Sequence, residues 1–160
     1  MLTSGEGLVD DVEVYREQNK MSSNRPNQNL LKITQEQNGI LRLKLNDPKR
    51  LNALSEAMLN DLVTAVDKIS IDPEVRAVIL ASTGTVFCAG HDLKEMTAAR
   101  KNTDMGRAYY VKTLSLCSDL MQKIVSCPKP IIAEVNGVAT AAGCQLVASC
   151  DLAIASEQAQ

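Results

Sequence analysis

The chain has 160 residues and a formal net charge of −2, with a sequence pI of about 5.4. This length suits one domain, and the acidic balance excludes a global positive field that would attract nucleic acid or an anionic membrane. The five cysteines include no C-x-x-C pair, which argues against a disulfide framework and against a metal site, and we interpret them as small buried hydrophobic residues. No apolar run reaches the length of about 18 residues that predicts a membrane span.

The first 29 residues are polar and carry several acidic side chains. A mitochondrial transit peptide is rich in arginine and poor in acids, so no transit peptide is visible here. We therefore expect residues 1–29 to form a disordered leader and residues 30–160 to form the folded part.

The folded part begins with two alternating segments in "LLKITQEQNGILRLKLND". They flank Asn38 and Gly39, a pair whose tolerance of positive φ predicts a type I′ hairpin turn. In the second segment Leu41, Leu43 and Leu45 share one face, which predicts a half-buried strand.

A helix is predicted next, with Ser55 as its N-cap and Asp72-Pro73 after its end. The apolar run Val75–Ser82 then predicts a strand in a sheet that is covered on both faces.

The second half of the chain repeats the alternation of strand and helix. A helical pattern over residues 104–126 is followed by a strand over 130–135, a short helix in "TAAGCQLVASC" and a strand over 151–156. This order predicts an α/β fold with a largely parallel sheet.

Two segments combine an apolar strand, a turn of small residues and a helix. They are "VILASTGTVFCAGHDLKEM" and "PIIAEVNGVATAAGCQLVAS". The first N–H groups of a helix have no partner inside it, so two such turns could hold a negatively charged oxygen, although two tight connections without a ligand have the same pattern. Neither turn contains the G-x-G-x-x-G or G-x-x-x-x-G-K motif of nucleotide-binding loops.

His91 is the only histidine of the sequence and follows Cys88 by three residues. A Cys–His nucleophile pair is one interpretation, but adjacency in sequence is not the spatial arrangement that such a pair needs. The other interpretation is an imidazole without a role in chemistry.

Three segments resemble the crotonase superfamily of enoyl-CoA hydratases and isomerases. They are "DPKRLNALSEAMLNDL", "FCAGHDLKEM" and "VNGVATAAGCQLVASCDLAIAS", and they occur in the family's order. The resemblance implies the crotonase fold, a spiral of ββα units. It also implies an acyl-CoA thioester as the bound partner, with coenzyme A as part of the substrate and no separate cofactor.

The resemblance implies a site in which the backbone N–H groups of His91 and Ala142 form an oxyanion hole that stabilises a thioester enolate. It implies that coenzyme A lies along residues near the first turn. These are Lys49, Arg50, Ala89, His91, Asp92, Leu93 and Lys94.

The resemblance also predicts two departures from the hydratases, which use two glutamates. The first glutamate falls on Gln145, whose amide can orient water but cannot accept its proton. The second glutamate and the C-terminal helices belong to a segment after Gln160, so we expect an incomplete domain that holds the N-terminal core only. Full-length members are expected to form homotrimers or hexamers.

Three functional interpretations follow from the resemblance. The first is an enoyl-CoA hydratase/isomerase-like protein of fatty acid metabolism. The second is an inactive CoA-binding or regulatory member, which Gln145 favours, and the third is a non-functional truncated isoform. The family implies mitochondria, while the missing transit peptide leaves the cytoplasm open.

Overall fold

A computed structural model describes residues 29–160 of the chain. The leader predicted over residues 1–29 lies, apart from Asn29, outside the described residues and stays a prediction. The elements in chain order are β1 (Leu31–Gln35), β2 (Ile40–Leu45), α1 (Glu56–Ile71), β3 (Ala77–Ser82), β4 (Val86–Cys88), α2 (Leu93–Ala99), α3 (Arg107–Val125), β5 (Ile131–Val135), β6 (Val138–Ala139), α4 (Ala142–Ala148) and β7 (Leu152–Ala155).

The main sheet has the strand order β1-β2-β3-β5-β7. β1 is antiparallel to β2, and the other neighbouring strands are parallel. The predicted α/β class with a largely parallel sheet is therefore confirmed. The short strands β4 and β6 pair in parallel as a second sheet, which no sequence pattern predicted.

The hairpin between β1 and β2 turns at the predicted residues. Asn38 has φ 61° and Gly39 has φ 76°, so both central residues lie at the positive φ that a type I′ turn requires. Leu41, Leu43 and Leu45 are buried on one face of β2, as their alternation predicts.

Helices α1 and α3 pack on each other and cover one face of the main sheet. Ser55 caps α1, since its hydroxyl accepts a hydrogen bond from the Met58 N–H at 3.2 Å. The helix ends before Asp72, also as predicted. The largest fully buried side chains of this layer and its neighbours are Phe87, Leu43, Leu45, Leu54, Met58, Leu59, Leu62, Leu80, Leu120 and Leu146.

The other face of the main sheet is less covered than the apolar run Val75–Ser82 predicted. Ile79 on β3 and Ile132 on β5 are half-buried there, and Ile154 on the edge strand β7 is 68% exposed. The burial of β3 is thus uneven, because α1 and α3 pack on the face that carries Val78 and Leu80, while on the other face Ala81 is buried and Ile79 only half-buried.

The parallel strands bring the two predicted turns together. Strands β3 and β5 are neighbours in the main sheet, and the turns follow the short strands β4 and β6 that come directly after them. Because parallel strands present their carboxyl ends at the same edge, both turns lie at one end of the sheets.

Candidate active site at two strand-to-helix turns

The first turn, residues 89–92, is fastened to the segment 51–54 by backbone hydrogen bonds. The N–H of Ala89 donates to Leu51 O at 3.1 Å, that of Leu54 donates to Gly90 O at 2.8 Å, and that of Asp92 donates to Leu54 O at 3.4 Å. The N–H of His91 has no partner among the described residues. It is therefore a free donor in a turn whose flanks are fixed.

The His91 side chain is half-buried, and its Nδ1 is buried without a hydrogen-bond partner among the described residues. Burial lowers the pKa of His91, an effect that the neighbouring Leu54 backbone partly offsets. Burial also raises the pKa of Cys88 to about 11. A neutral, fully buried thiol is not a nucleophile at neutral pH, so the structure gives a Cys88–His91 pair no support.

The second turn leads into α4 through a strained residue. Ala141 has φ 51° and ψ −124°, a conformation that L-residues rarely adopt. Ala142 is the first helical residue, is 8% exposed, and its N–H has no partner among the described residues. A second free donor thus starts this helix.

The two turns touch at Gly90. A Cβ at this position would lie 3.0 Å from Ala141 Cβ, 3.1 Å from Thr140 O and 3.2 Å from Ala142 N. The His91 nitrogen is three covalent bonds, each of about 1.5 Å or less, from that Cβ position, so the nitrogens of His91 and Ala142 are less than about 8 Å apart.

The short sheet holds this approach in place. The N–H of Thr140 donates to Cys88 O at 3.1 Å, and a Cβ on Gly143 would lie 2.3 Å from the same oxygen. Any side chain at residue 143 would therefore push α4 away from β4.

Gln145 lies one turn beyond Ala142 on α4 and is exposed. Residues three apart share a helix face, so Gln145 lies on the same face of α4 as Ala142. The neighbouring Cys144 is exposed as well. The prediction that all cysteines are buried is wrong at this residue, because a short helix packed at its Ala142, Gly143 and Leu146 positions leaves 144 facing outward.

The residues predicted to lie along coenzyme A differ in their solvent exposure and in whether their polar groups already have partners. Lys49, Leu93 and Lys94 are exposed, and Leu93 is 73% exposed. Arg50 and Asp92 form an ion pair with each other. The N–H of Ala89 already donates to Leu51 O.

Asn52 anchors the segment 51–54 that fastens the first turn, although no sequence motif singled it out. Its side chain accepts from the Asp47 N–H at 2.9 Å and donates to Thr83 O and Val86 O, both at 2.8 Å. It is fully buried and has φ 51°. The available signal was its residue type, since asparagine tolerates left-handed backbone better than most residues.

Within residues 29–160 there is no group of three or more His, Cys, Asp or Glu side chains that could hold a metal ion. In the same range, no helix combines the length and the hydropathy that a membrane span requires.

The family model "Enoyl-CoA hydratase/isomerase" matches residues 35–160 of the chain. "Enoyl-CoA hydratase domain-containing protein 3, mitochondrial" from Xenopus laevis is 44% identical over 130 residues, which cover 81% of this chain and 42% of that protein. Its human counterpart is 44% identical over 120 residues, which cover 75% of this chain and 38% of that protein. The chain thus spans about two-fifths of the length of these relatives, whose names place them in mitochondria.

Solved structures of enoyl-CoA hydratases have the same fold. The enoyl-CoA hydratase of Mycobacterium smegmatis superposes with a TM-score of 0.76 at 50% identity, over 82% of this chain and 49% of that one. The human enoyl-CoA hydratase domain-containing protein 3 superposes with a TM-score of 0.73 at 40% identity, over 81% of this chain and 49% of that one. The predicted crotonase fold is confirmed, and the chain belongs to the enoyl-CoA hydratase/isomerase family of the crotonase superfamily.

Proposed function

We propose that the chain binds a fatty acyl-CoA thioester and that the N–H groups of His91 and Ala142 form an oxyanion hole for its carbonyl oxygen. The family name describes enoyl-CoA, a thioester, as the substrate. The observation that carries the proposal is the close approach of the two turns, in which a Cβ added to Gly90 would lie 3.2 Å from Ala142 N. The N–H groups of His91 and Ala142 beside this contact have no partners among the described residues. Any catalytic activity is also part of the proposal, since the chain spans about two-fifths of the length of its relatives.

The chemistry that such a pair of donors favours is the formation of an enolate. When a proton leaves the carbon next to the thioester, or a nucleophile adds to its conjugated double bond, negative charge moves to the carbonyl oxygen. Two fixed N–H donors stabilise that charge, and the loss of one donor typically lowers the rate by about 10² to 10³.

Gln145 has a limited part in this proposal. Its exposed amide, one turn from Ala142, can orient a water molecule or the substrate. It cannot accept a proton at neutral pH, and loss of a general base typically lowers a rate by about 10² to 10⁴. The proton transfer therefore needs a group other than Gln145.

Coenzyme A would lie along the first turn in this proposal, beside Ala89, His91 and Leu93. Lys49 and Lys94 are exposed and have no ion-pair partner among the described residues, so they supply the cations for the phosphates.

A second candidate function is binding of acyl-CoA without turnover, as in a regulatory member of the family. The glutamine at 145 favours it, because an oxyanion hole and exposed lysines suffice for binding while a general base is needed for hydration.

The decisive experiment removes one N–H and adds no atoms. A synthetic segment 127–160, in which lactic acid replaces Ala142, is ligated at Cys127 to residues 1–126, so that an ester oxygen stands where the N–H was. Calorimetric titration with crotonoyl-CoA should give roughly tenfold weaker binding than for the all-amide chain ligated in the same way. Equal affinities would exclude Ala142 as a donor.

Turnover then separates the two candidate functions. A steady-state hydration assay with crotonoyl-CoA detects the enzyme, whereas binding without product formation supports the non-catalytic member. No binding by the all-amide chain would contradict both.

A further inference from the structure

Arg50 lies in a charged cluster that joins three elements of the fold. Its Nη2 contacts Asp92 Oδ2 and lies 3.8 Å from Glu95 Oε1. The Asp92 side chain is 5% exposed, that of Glu95 is 20% exposed and that of Arg50 is 34% exposed. Arg50 is thus paired with two carboxylates, one of them almost completely removed from water.

The buried carboxylate of Asp92 has donors on both oxygens. Oδ1 accepts from the N–H groups of Lys94 at 2.9 Å and Glu95 at 3.2 Å and so caps α2, while Oδ2 contacts Arg50. A buried carboxylate that loses its cation keeps an uncompensated charge, which is strongly unfavourable. Without Arg50, the Asp92 side chain is therefore expected to leave this position.

Glu95 ties the same cluster to two further helices. Its Oε2 accepts from the Glu56 N–H at 2.9 Å and from the Tyr109 hydroxyl at 3.0 Å. The start of α1, the start of α2 and the start of α3 thus meet on one side chain, and this gives the cluster a rigid frame.

Asp92 directly follows the proposed donor His91. The peptides on both sides of His91 are held by Leu54, through Gly90 O at 2.8 Å and Asp92 N at 3.4 Å. The second of these bonds is long, so the Asp92 side chain is the stronger anchor on that side. The His91 N–H lies in the same planar peptide as Gly90 O, so its direction depends on the Leu54 bond to that oxygen together with the Asp92 anchor on the other side.

We infer that Arg50 is a positioning residue, which orients the His91 N–H through Asp92, and is not a ligand of the coenzyme A phosphates. This inference rests on the proposed function and changes the role that the family resemblance implies for Arg50. Asp92 and Glu95 already offset the charge of this guanidinium, whereas Lys49 and Lys94 are exposed and have no ion-pair partner within the described residues.

Two thioesters that differ only in the nucleotide separate the two roles. Crotonoyl-CoA has the phosphates, and crotonoyl-pantetheine has the thioester without them. Arg50→Met should weaken the binding of both compounds by the same factor, roughly ten- to a hundredfold, because a misplaced donor affects the shared carbonyl. Lys49→Met should weaken the binding of crotonoyl-CoA only.

Two further variants complete the design. Arg50→Lys keeps a cation near Asp92 and should therefore recover part of the affinity for both thioesters. The recovery should be incomplete, because the lysine ammonium lacks the planar set of donors of the guanidinium. Arg42→Met removes an arginine that pairs with Glu36 and Glu134 on the far face of the sheet, and it should leave both affinities unchanged. A loss that appears with crotonoyl-CoA and not with crotonoyl-pantetheine in Arg50→Met would overturn the inference.

A readout without ligand keeps this test independent of the proposed function. The ¹⁵N-labelled chain should show a shifted His91 amide resonance and faster exchange of the Lys94 and Glu95 amides in Arg50→Met, and neither change in Arg42→Met. If the unaltered chain binds neither thioester, the proposed function fails while these resonances still report on the inference. Unchanged resonances in both Arg50→Met and Arg50→Lys would overturn it.

Discussion

The Cβ that Gly90 lacks would lie 3.2 Å from the backbone nitrogen of Ala142. These residues belong to different strand-to-helix turns and are 52 positions apart in the chain, a separation that the pairing of β4 with β6 closes. Gly90 also has φ +83°, which L-residues with a side chain rarely adopt. Both the space and the backbone at this position therefore select glycine.

Gly90→Ala should damage both stability and ligand binding. The new methyl group meets Ala141 Cβ, Thr140 O and Ala142 N at 3.0 to 3.2 Å, and the positive φ adds strain. We expect a loss of about 1 to 3 kcal/mol in the free energy of unfolding, measured by urea denaturation, and at least about tenfold weaker binding of crotonoyl-CoA.

Gly106→Ala is the matched control for this change. Gly106 has φ +85°, and a Cβ there would meet Ala99 O at 3.0 Å and Tyr110 Cζ at 3.1 Å, neither of which belongs to the proposed site. It should lose similar stability and keep its affinity. Equal losses of affinity in both variants would show that binding only follows stability.

Asn52→Ala should destabilise the protein more than Gly90→Ala does. It leaves the Asp47 N–H and the carbonyl oxygen of Thr83 without a partner in a fully buried site, while Val86 O keeps its hydrogen bond from the Ser82 hydroxyl at 3.2 Å. Unsatisfied buried groups cost about 1 to 3 kcal/mol each, so we expect a loss of about 3 kcal/mol or more in the free energy of unfolding. The exposed Asn60→Ala, on α1, should change it by less than about 0.5 kcal/mol. A loss below about 1 kcal/mol at Asn52 would contradict this prediction.

His91 should make stability depend on pH between about 7 and 5. Its folded-state pKa lies below the ordinary value of about 6.5, because burial disfavours the charged imidazole. The unfolded chain then binds the proton at higher pH than the folded chain. The folded state therefore has its full stability above the unfolded-state pKa of His91, and it loses stability as pH falls through about 6.5 toward the lower folded-state pKa.

The measurement is direct because the sequence has a single histidine. Its ring Cε1–H resonance should titrate below 6.5, and urea denaturation at a series of pH values should show stability falling from pH 7 to 5. In His91→Gln this part of the slope should disappear. A titration midpoint above 6.5 contradicts the prediction.

Ala141→Gly should stabilise the protein, which is unusual for a change to glycine. Ala141 is held at φ 51° and ψ −124°, where strain of about 1 to 3 kcal/mol is typical and glycine is at ease. Glycine gives back about 0.4 to 1 kcal/mol through the greater freedom of the unfolded chain. A net gain of about 1 kcal/mol is expected in urea denaturation. Ala98→Gly, in the ordinary helical conformation of α2, should instead lose about 0.5 to 1 kcal/mol. A loss at Ala141 would mean that the turn has no strain to release.

Local features of the fold could be predicted from the sequence because short-range chemistry decides them. The hairpin turn at Asn38 and Gly39 needs positive φ, and the start of α1 needs a hydroxyl that bonds to Met58 N–H; both follow from neighbouring residues. The family resemblance likewise supplied His91 and Ala142 as neighbours, which are now found at turns in contact.

Features that depend on distant residues could not be predicted. Nothing near Arg50 in the sequence shows that Asp92 lies against it, because the ion pair exists only once residues 89–92 bond to 51–54. The three bonds of Asn52 reach Thr83 and Val86, and the pairing of β4 with β6 comes from two strands too short to give an alternating pattern.

Gln145→Glu tests whether the glutamine is what limits hydration. The carboxylate would stand on the exposed face of α4, one turn from Ala142, where it could take the proton that an amide cannot. A general base contributes about 10² to 10⁴ in rate. Because only one carboxylate of the hydratase pair is restored, we expect a smaller gain, in which hydration of crotonoyl-CoA rises at least about tenfold over the parent.

The control and the pH profile decide what such a gain means. Gln122→Glu places the same carboxylate on the exposed face of α3 and should give no gain. In Gln145→Glu the rate should increase as pH rises through the glutamate's pKa, since only the ionised form is a base. Binding of crotonoyl-CoA without any gain in rate would instead support the non-catalytic member, because the oxyanion hole would then be formed beside a helix position that cannot deliver a base to the substrate.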